Sequence, residues 1–200
     1  MRKLSGVIVG CGLIAREHLI ALSGNDDVRI AAVCDVSAVK AEATADRFCI
    51  ERYYTDLDAM LSDVRPDLVH ITTPPSAHFA IAKRCLEQGL NVLCEKPLTM
   101  NYTDFLVLKD LANERRCVLM ESQNYRYHSS VARIEQLISA GALGDVLDVN
   151  VSIFANLYGP ASPYLDQNVP HFSLALKGGP IGVYLPHLAY MAEMFAGAAV

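Results

Sequence analysis

Residues 1–122 predict a doubly wound parallel α/β sheet, and residues 123–200 predict a smaller, incomplete α+β unit. Three observations carry this. Short β-branched runs alternate with helical patterns through the first 122 residues, as βαβ units covered on both faces of a sheet require. A glycine-rich turn follows the first of those runs. Apolar residues make up 52% of the chain and mean hydropathy is +0.23, which supplies a real core and excludes a disordered chain.

The first strand is read at Val7-Ile8-Val9, the second over 28–34, a weak third at Tyr53-Tyr54, the fourth over 68–72, the fifth over 91–94 and the sixth over 117–120. Helices between them are expected to start near Leu13, Ser37, Asp56, Ser76 and Thr103. Ser37, Ser76 and Thr103 carry hydroxyls suited to accepting from free backbone N–H groups, and Gly89 supplies a C-terminal stop. After Gln123, the spacing of Val131, Ile134, Leu137 and Ile138 predicts an amphipathic helix ending at Gly141. Residues 146–153 alternate with period two, predicting a strand with one wet face. An irregular stretch over 156–177 then leads to a helix headed by Pro186, with Leu188, Met191 and Phe195 on one face.

At about 150 residues per domain, 200 residues hold one complete domain, 1–122, and part of a second, 123–200. One strand cannot bury its apolar face alone, so the second domain reads as cut short and the chain as a fragment of a longer protein.

With 17 basic and 22 acidic residues the net charge is -5, and the pI is near 5.6. This opposes a nucleic-acid-binding surface, and the scattered acids imply no acidic tail. Six cysteines show no close pairing and sit mostly in apolar runs, so they read as reduced core thiols. No His, Cys, Asp or Glu set has metal-ligand spacing, so no metal is expected. The absence of a secretory pattern or membrane-length apolar run leads to the expectation of a cytoplasmic protein with no membrane partner.

Gly10-Cys11-Gly12-Leu13-Ile14-Ala15 is G-x-G-x-x-A between a strand and a helix, the context a dinucleotide fingerprint needs. Gly10 permits the tight turn, Gly12 leaves room for a pyrophosphate to reach backbone N–H groups, and Ala15 lets helix and sheet approach. The helix N-terminus adds positive potential. Asp35 ends the second strand 20 residues after Ala15, where a carboxylate accepts from ribose hydroxyls. Its charge repels a 2′-phosphate and favours NAD over NADP, although Lys40 or Arg47 could serve a phosphate. The fold is therefore read as a Rossmann sheet.

Thr72-Thr73-Pro74-Pro75-Ser76-Ala77-His78 follows the fourth strand and Cys94-Glu95-Lys96-Pro97 the fifth, both at the carboxyl edge where open α/β sheets bind ligands. Here the chain resembles the glucose-fructose oxidoreductase / inositol dehydrogenase family (Gfo/Idh/MocA), nucleotide-dependent oxidoreductases of sugars and cyclic polyols. The resemblance rests on Gly10-Cys11-Gly12 with His18, Thr73-Pro74-Pro75 with His78, and Glu95-Lys96-Pro97. Asn124-Tyr125-Arg126-Tyr127, Gly141 with Gly144, and Gly178-Gly179 followed by His187 complete it in order.

The resemblance implies that Lys96 is the general acid/base beside the nicotinamide, with Glu95 orienting it, and that Thr73, Pro74, Pro75 and His78 border the dinucleotide. The glycine turn through Leu13 and Ile14, together with Asp35, completes the implied cofactor set. It further implies a homo-oligomer when full length and a small-molecule substrate met by His187. Read from the residues alone, His18 and His78 suit helix packing or capping, and His70 a core position. Tyr125, Arg126, His171 and Tyr184 are candidate substrate groups, the first three equally readable as surface or interface packing. The family commonly places an Asp four residues before the histidine matching His187, and an acid three residues after it. This chain has Val183 and Tyr190. An NAD-dependent oxidoreductase is thus the leading expectation. A non-catalytic dinucleotide-binding regulator or scaffold is the alternative, and redox-cycled glycoside cleavage is a third.

Overall fold

Two sets of side chains leave the first strand in opposite directions, and each finds its own core. The computed structural model of the chain describes residues 2–154, 173 and 179–197. It divides into two compact units, Met1–Ser122 and Gln123–Val200. In the first, strands β1 (Leu4–Val9), β2 (Val28–Cys34), β3 (Tyr53–Tyr54), β4 (Leu68–Ile71), β5 (Asn91–Cys94) and β6 (Leu119–Glu121) form one parallel sheet. Its order is β3-β2-β1-β4-β5-β6. Helices α1 (Leu13–Ser23), α2 (Ala38–Arg47), α3 (Leu57–Val64), α4 (Pro75–Glu87) and α5 (Tyr102–Arg115) connect them.

Val7 and Val9 of β1 pack with Met60 and Leu61 of α3, Leu86 of α4 and Leu108 of α5. Ile8, one residue out of phase, packs with Ala15 and Leu19 of α1 and Ala45 of α2. Period-two alternation therefore feeds two separate helical layers, which is what doubly wound means at the level of side chains.

Several local expectations are corrected. Ser37 caps α2 by accepting from the Lys40 N–H, as its position suggested. Ser76 does not cap α4: Pro74 precedes the helix and Pro75 occupies its first turn, where its fixed φ is already helical. Thr103 does not cap α5, because Asn101 accepts from the Asp104 N–H at 2.8 Å and donates to the Asp104 carboxylate at 2.7 Å. The earlier Asx residue wins by serving both partners. Of the six free cysteines only Cys34, Cys85 and Cys94 are buried, while Cys49 is exposed, so the thiols are not uniformly core residues.

The second unit holds a 3-10 turn (Asn124–Tyr127), α6 (Ser129–Ser139) and α7 (Gly179–Ala196). Gly141, at φ +67°, follows α6 where a stop was expected. Residues 146–153 do not form a strand. Val149, Val151 and Ile153 keep a half-buried face in alternation with exposed neighbours, but no described segment pairs with them, and an unpaired strand gains no ladder hydrogen bonds. Helix α7 starts before Pro186, which lies inside it. Its most buried side chains are Val183, His187 and Tyr190, not the expected Leu188, Met191 and Phe195, which are half-buried. The expected irregular stretch over 156–177 lies, apart from residue 173, outside the described residues.

Candidate active site

Strand order decides which loops meet. With β4 between β1 and β5, the loops after these three strands lie side by side at the carboxyl edge, within about 10 Å of one another at the usual strand spacing. This is also where the sheet order reverses, the point at which such sheets bind nucleotides.

The chain leaves β1 through Gly10, at φ +98°, whose N–H donates to the Cys34 carbonyl at 2.7 Å. A Cβ at Gly10 would lie 2.7 Å from the Thr73 nitrogen and 2.8 Å from the Thr72 carbonyl carbon, so only glycine fits against the next loop. Thr72 ties that loop back, its hydroxyl donating to the Gly10 carbonyl at 2.6 Å. A Cβ at Gly12 would meet nothing within 4 Å. No side chain caps α1, so its first N–H groups, including those of Leu13 and Ile14, present donors beside this open space. Leu13 and Ile14 are themselves exposed.

Asp35 lies at the end of β2 with both carboxylate oxygens engaged: Oδ2 accepts from the Cys11 N–H at 2.7 Å and Oδ1 from the Ser37 N–H at 2.8 Å. The acid expected at the ribose thus also clamps the glycine turn. Burial pushes the Cys11 thiol up to about 11, so it stays protonated at neutral pH. On the loop after β4, the buried Thr73 hydroxyl has no hydrogen-bond partner among the described residues.

These features fit a bound dinucleotide: an open cradle at Gly12, an uncapped helix start and an orphaned hydroxyl. Together, sheet and turn define a dinucleotide-binding Rossmann domain.

Lys96 follows β5 and is half-buried. Burial lowers its amine below the ordinary lysine range, against the opposing charges of Glu95 and Glu121. Glu95 is 9% exposed, with Oε2 accepting the Lys96 backbone N–H at 3.2 Å. Burial acts to raise its carboxyl, but the bond and charge from His18, a bond from Ser122 and the charge of Lys96 outweigh it and hold it below the usual range.

Two histidines take unexpected places. His18 bridges Glu95 Oε1, at 3.0 Å from its Nε2, and His70, at 3.1 Å between the two Nδ1 atoms. It is neither a cap nor simple packing. His70 is buried as expected, and burial followed by the charge of His18 drives it down to about 4, so it is neutral. His78, expected to border the dinucleotide, is fully buried, its two ring nitrogens 2.8 Å from the carbonyls of Thr73 and Pro97. It staples the loops after β4 and β5. The signal available in the sequence was three histidines on the elements that flank the glycine turn and the loop after β4, namely α1, β4 and α4; periodicity gave no pairing between them.

In the second unit, Tyr125, His187 and Tyr190 form one cluster. The Tyr125 N–H donates to the Tyr190 hydroxyl at 3.2 Å, His187 Nδ1 lies 2.9 Å from the same oxygen, and the Tyr125 and His187 rings are 4.6 Å apart. Tyr190, which was not among the candidate site residues read from the sequence, belongs to this cluster. Val183 is buried one turn before His187, and Tyr184 is half-buried beside it. Arg126 is exposed and pairs with Glu135 at 3.9 Å, while His171 lies outside the described residues.

Residues 4–123 match the model of the oxidoreductase family with an NAD-binding Rossmann fold, Gfo/Idh/MocA, and the chain belongs to that family. It is 29% identical over 170 residues to D-apiose dehydrogenase of Paraburkholderia graminis, covering 84% of this chain and 45% of that one. Identity reaches 36% over 156 residues with dTDP-3,4-didehydro-2,6-dideoxy-alpha-D-glucose 3-reductase of Streptomyces violaceoruber, covering 76% and 44%. A crystal structure of an oxidoreductase from Agrobacterium radiobacter in complex with NAD+, L-tartaric acid and magnesium superposes with TM-score 0.69 and 26% identity, covering 72% and 42%. The chain thus spans less than half the length of these relatives. No described helix is long and apolar enough to cross a membrane.

Proposed function

We propose that the chain forms the nucleotide-binding part, and a portion of the substrate-binding part, of an NAD-dependent oxidoreductase acting on a CH–OH group of a sugar, cyclic polyol or related carbonyl compound. The observation that carries this reading is Lys96, a half-buried amine at the carboxyl end of β5 whose proton is loosened by burial. NAD, when bound, supplies the hydride acceptor. The Gly10 to Ile14 turn would hold its pyrophosphate, and Asp35 its adenine ribose.

Oxidation of a carbinol releases a proton from the hydroxyl. Lys96 takes it as the free amine, and in reduction its ammonium returns one to the forming alkoxide. Since the amine must be deprotonated to act as base, oxidation is expected to rise with pH through a midpoint below about 10.4, the ordinary lysine value. In the second unit, His187 with Tyr190 is the proposed pair for a substrate hydroxyl.

Calorimetry with NAD, followed by a sugar and polyol panel read by reduced-nicotinamide absorbance, tests the reading. Lys96→Met is expected to lower turnover by about 10²-fold or more with NAD affinity little changed. Turnover equal to the parent rejects Lys96 as acid/base. Val183 favours a second reading, a non-catalytic dinucleotide-binding regulator: an apolar, 7% exposed side chain one turn from His187 gives that imidazole no carboxylate from this position. NAD binding without turnover of any panel member supports it.

A further inference from the structure

Three polar side chains are bonded in a row, His70 on β4, His18 on α1 and Glu95 after β5, and the row ends on the backbone N–H of Lys96. A carboxylate only accepts, so the 3.0 Å contact requires His18 to donate from Nε2 to Glu95. The 3.1 Å contact between the two Nδ1 atoms then holds a single proton, given by His70 to a neutral His18 or by a charged His18 to His70. In either state His18 remains a donor to Glu95, and His70 remains neutral. Glu95 in turn accepts the Lys96 backbone N–H through its other oxygen. Its position and charge therefore depend on a residue 77 positions earlier in the chain.

We propose that His18 is a positioning residue for Lys96: braced by His70, it holds the Glu95 carboxylate ionised and fixed against the backbone of Lys96, and so sets the environment of the amine. The proposal rests on the reading of Lys96 as acid/base and names what tunes it. Among the described residues, the charged and titratable groups facing the pair are Glu121 on β6, Cys94 on β5, His18 and His70, with His78 on the Pro97 carbonyl. Of these, His18 alone bonds the Glu95 carboxylate and is itself bonded to a buried neutral partner. Without it, Glu95 keeps its burial and loses the donor on Oε1, which favours the protonated acid. Neutralising Glu95 removes an anion beside Lys96, and burial then lowers the amine further.

The test needs no turnover. Competitive acetylation of the whole chain across pH, read by mass spectrometry of the Lys96 peptide, gives the midpoint of that amine. Glu95→Gln is expected to lower it by at least about half a pH unit, roughly threefold in the ionisation constant. His18→Leu is expected to shift it in the same direction, His18→Gln, which keeps a donor, to leave it near the parent value, and the His18→Leu/Glu95→Gln pair to go no further than Glu95→Gln alone. A His18→Leu midpoint that is unmoved or raised, or a shift that adds to that of Glu95→Gln, overturns the proposal. A parent midpoint at the ordinary lysine value instead rejects Lys96 as the tuned base. Circular dichroism of each variant separates these outcomes from misfolding, and if His18→Leu does not fold, His18→Ala, which also lacks a donor, takes its place under the same criteria.

Discussion

Gly10 and Gly12 are two residues apart, yet the structure assigns them opposite liabilities, and alanine at each separates folding from binding. At Gly10 the backbone lies at φ +98°, and a Cβ would press on the Thr73 nitrogen at 2.7 Å and the Thr72 carbonyl carbon at 2.8 Å, both backbone atoms. The left-handed conformation costs about 1–2 kcal/mol for an L-residue. Forcing atoms into a packed loop costs about 1–3 kcal/mol more. Gly10→Ala is therefore expected to destabilise by about 2–5 kcal/mol, which at about 2–4 °C per kcal/mol lowers Tm by roughly 4–20 °C. Gly12 has φ -79° and no atom within 4 Å of the new methyl. Its replacement costs no more than about 1 kcal/mol as a helix cap. The methyl fills the space a pyrophosphate needs, so NAD affinity is expected to fall at least about tenfold, or 1.4 kcal/mol. Thermal unfolding and NAD calorimetry on both variants decide the matter. Equal Tm losses, or parent-like NAD binding by Gly12→Ala, refutes the assignment of these roles.

Asp35→Asn removes the charge from the clamp on the Cys11 N–H. NAD affinity is expected to drop about tenfold and the preference over NADP to narrow, measured by paired titrations. His70 titrates near 4 in the folded chain and near 6.5 when exposed, so the unfolded state binds more protons between those values. Its contribution, about 3 kcal/mol, is complete above pH 6.5 and is lost as pH falls toward 4. Urea midpoints at pH 7 and 4.5 are expected to differ less in His70→Gln than in the parent, and an identical pH dependence counts against the buried neutral imidazole. Asn101→Ala is expected to cost about 1 kcal/mol by the same urea assay. Thr103→Ala should stay within about 0.5 kcal/mol, its exposed side chain having no cap role.

The sheet was legible because its strands are short apolar runs with turns between, and hydrophobic periodicity reports burial directly. The glycine turn was legible because a backbone shape that tolerates only glycine writes itself into the sequence. Other features lacked such a signature. A cap at Asn101 rather than Thr103 depends on which of two neighbouring polar side chains meets a free N–H of the first turn, which for Asn101 is that of Asp104 and which spacing alone does not resolve. The strand expected over 146–153 had the right alternation, but a strand exists only through its partner, and none is among the described residues. The buried stripe of α7 ran through His187 and Tyr190, which an apolar pattern assigns to the wet side.

That last failure and the one at His18 have the same origin. Periodicity assumes that polar groups seek water, whereas a polar group that finds its partner inside the protein is satisfied there and excluded from the pattern. His18, His70 and Glu95 satisfy one another across three elements, and His187 and Tyr190 do so across one helical turn. Burying such groups is costly unless every member is paired, so chains place them where water must be kept out and charge must be held still. The positions where a burial pattern fails are accordingly those where the chemistry of this chain is to be sought: His18 and Glu95 behind Lys96, and Tyr190 behind His187. Tyr190→Phe tests the second of these pairs. It removes the hydroxyl shared by the Tyr125 N–H and the His187 ring, and the His187 Nδ1 resonance in a nitrogen NMR spectrum is expected to move. An unchanged resonance would mean the imidazole is held by other partners.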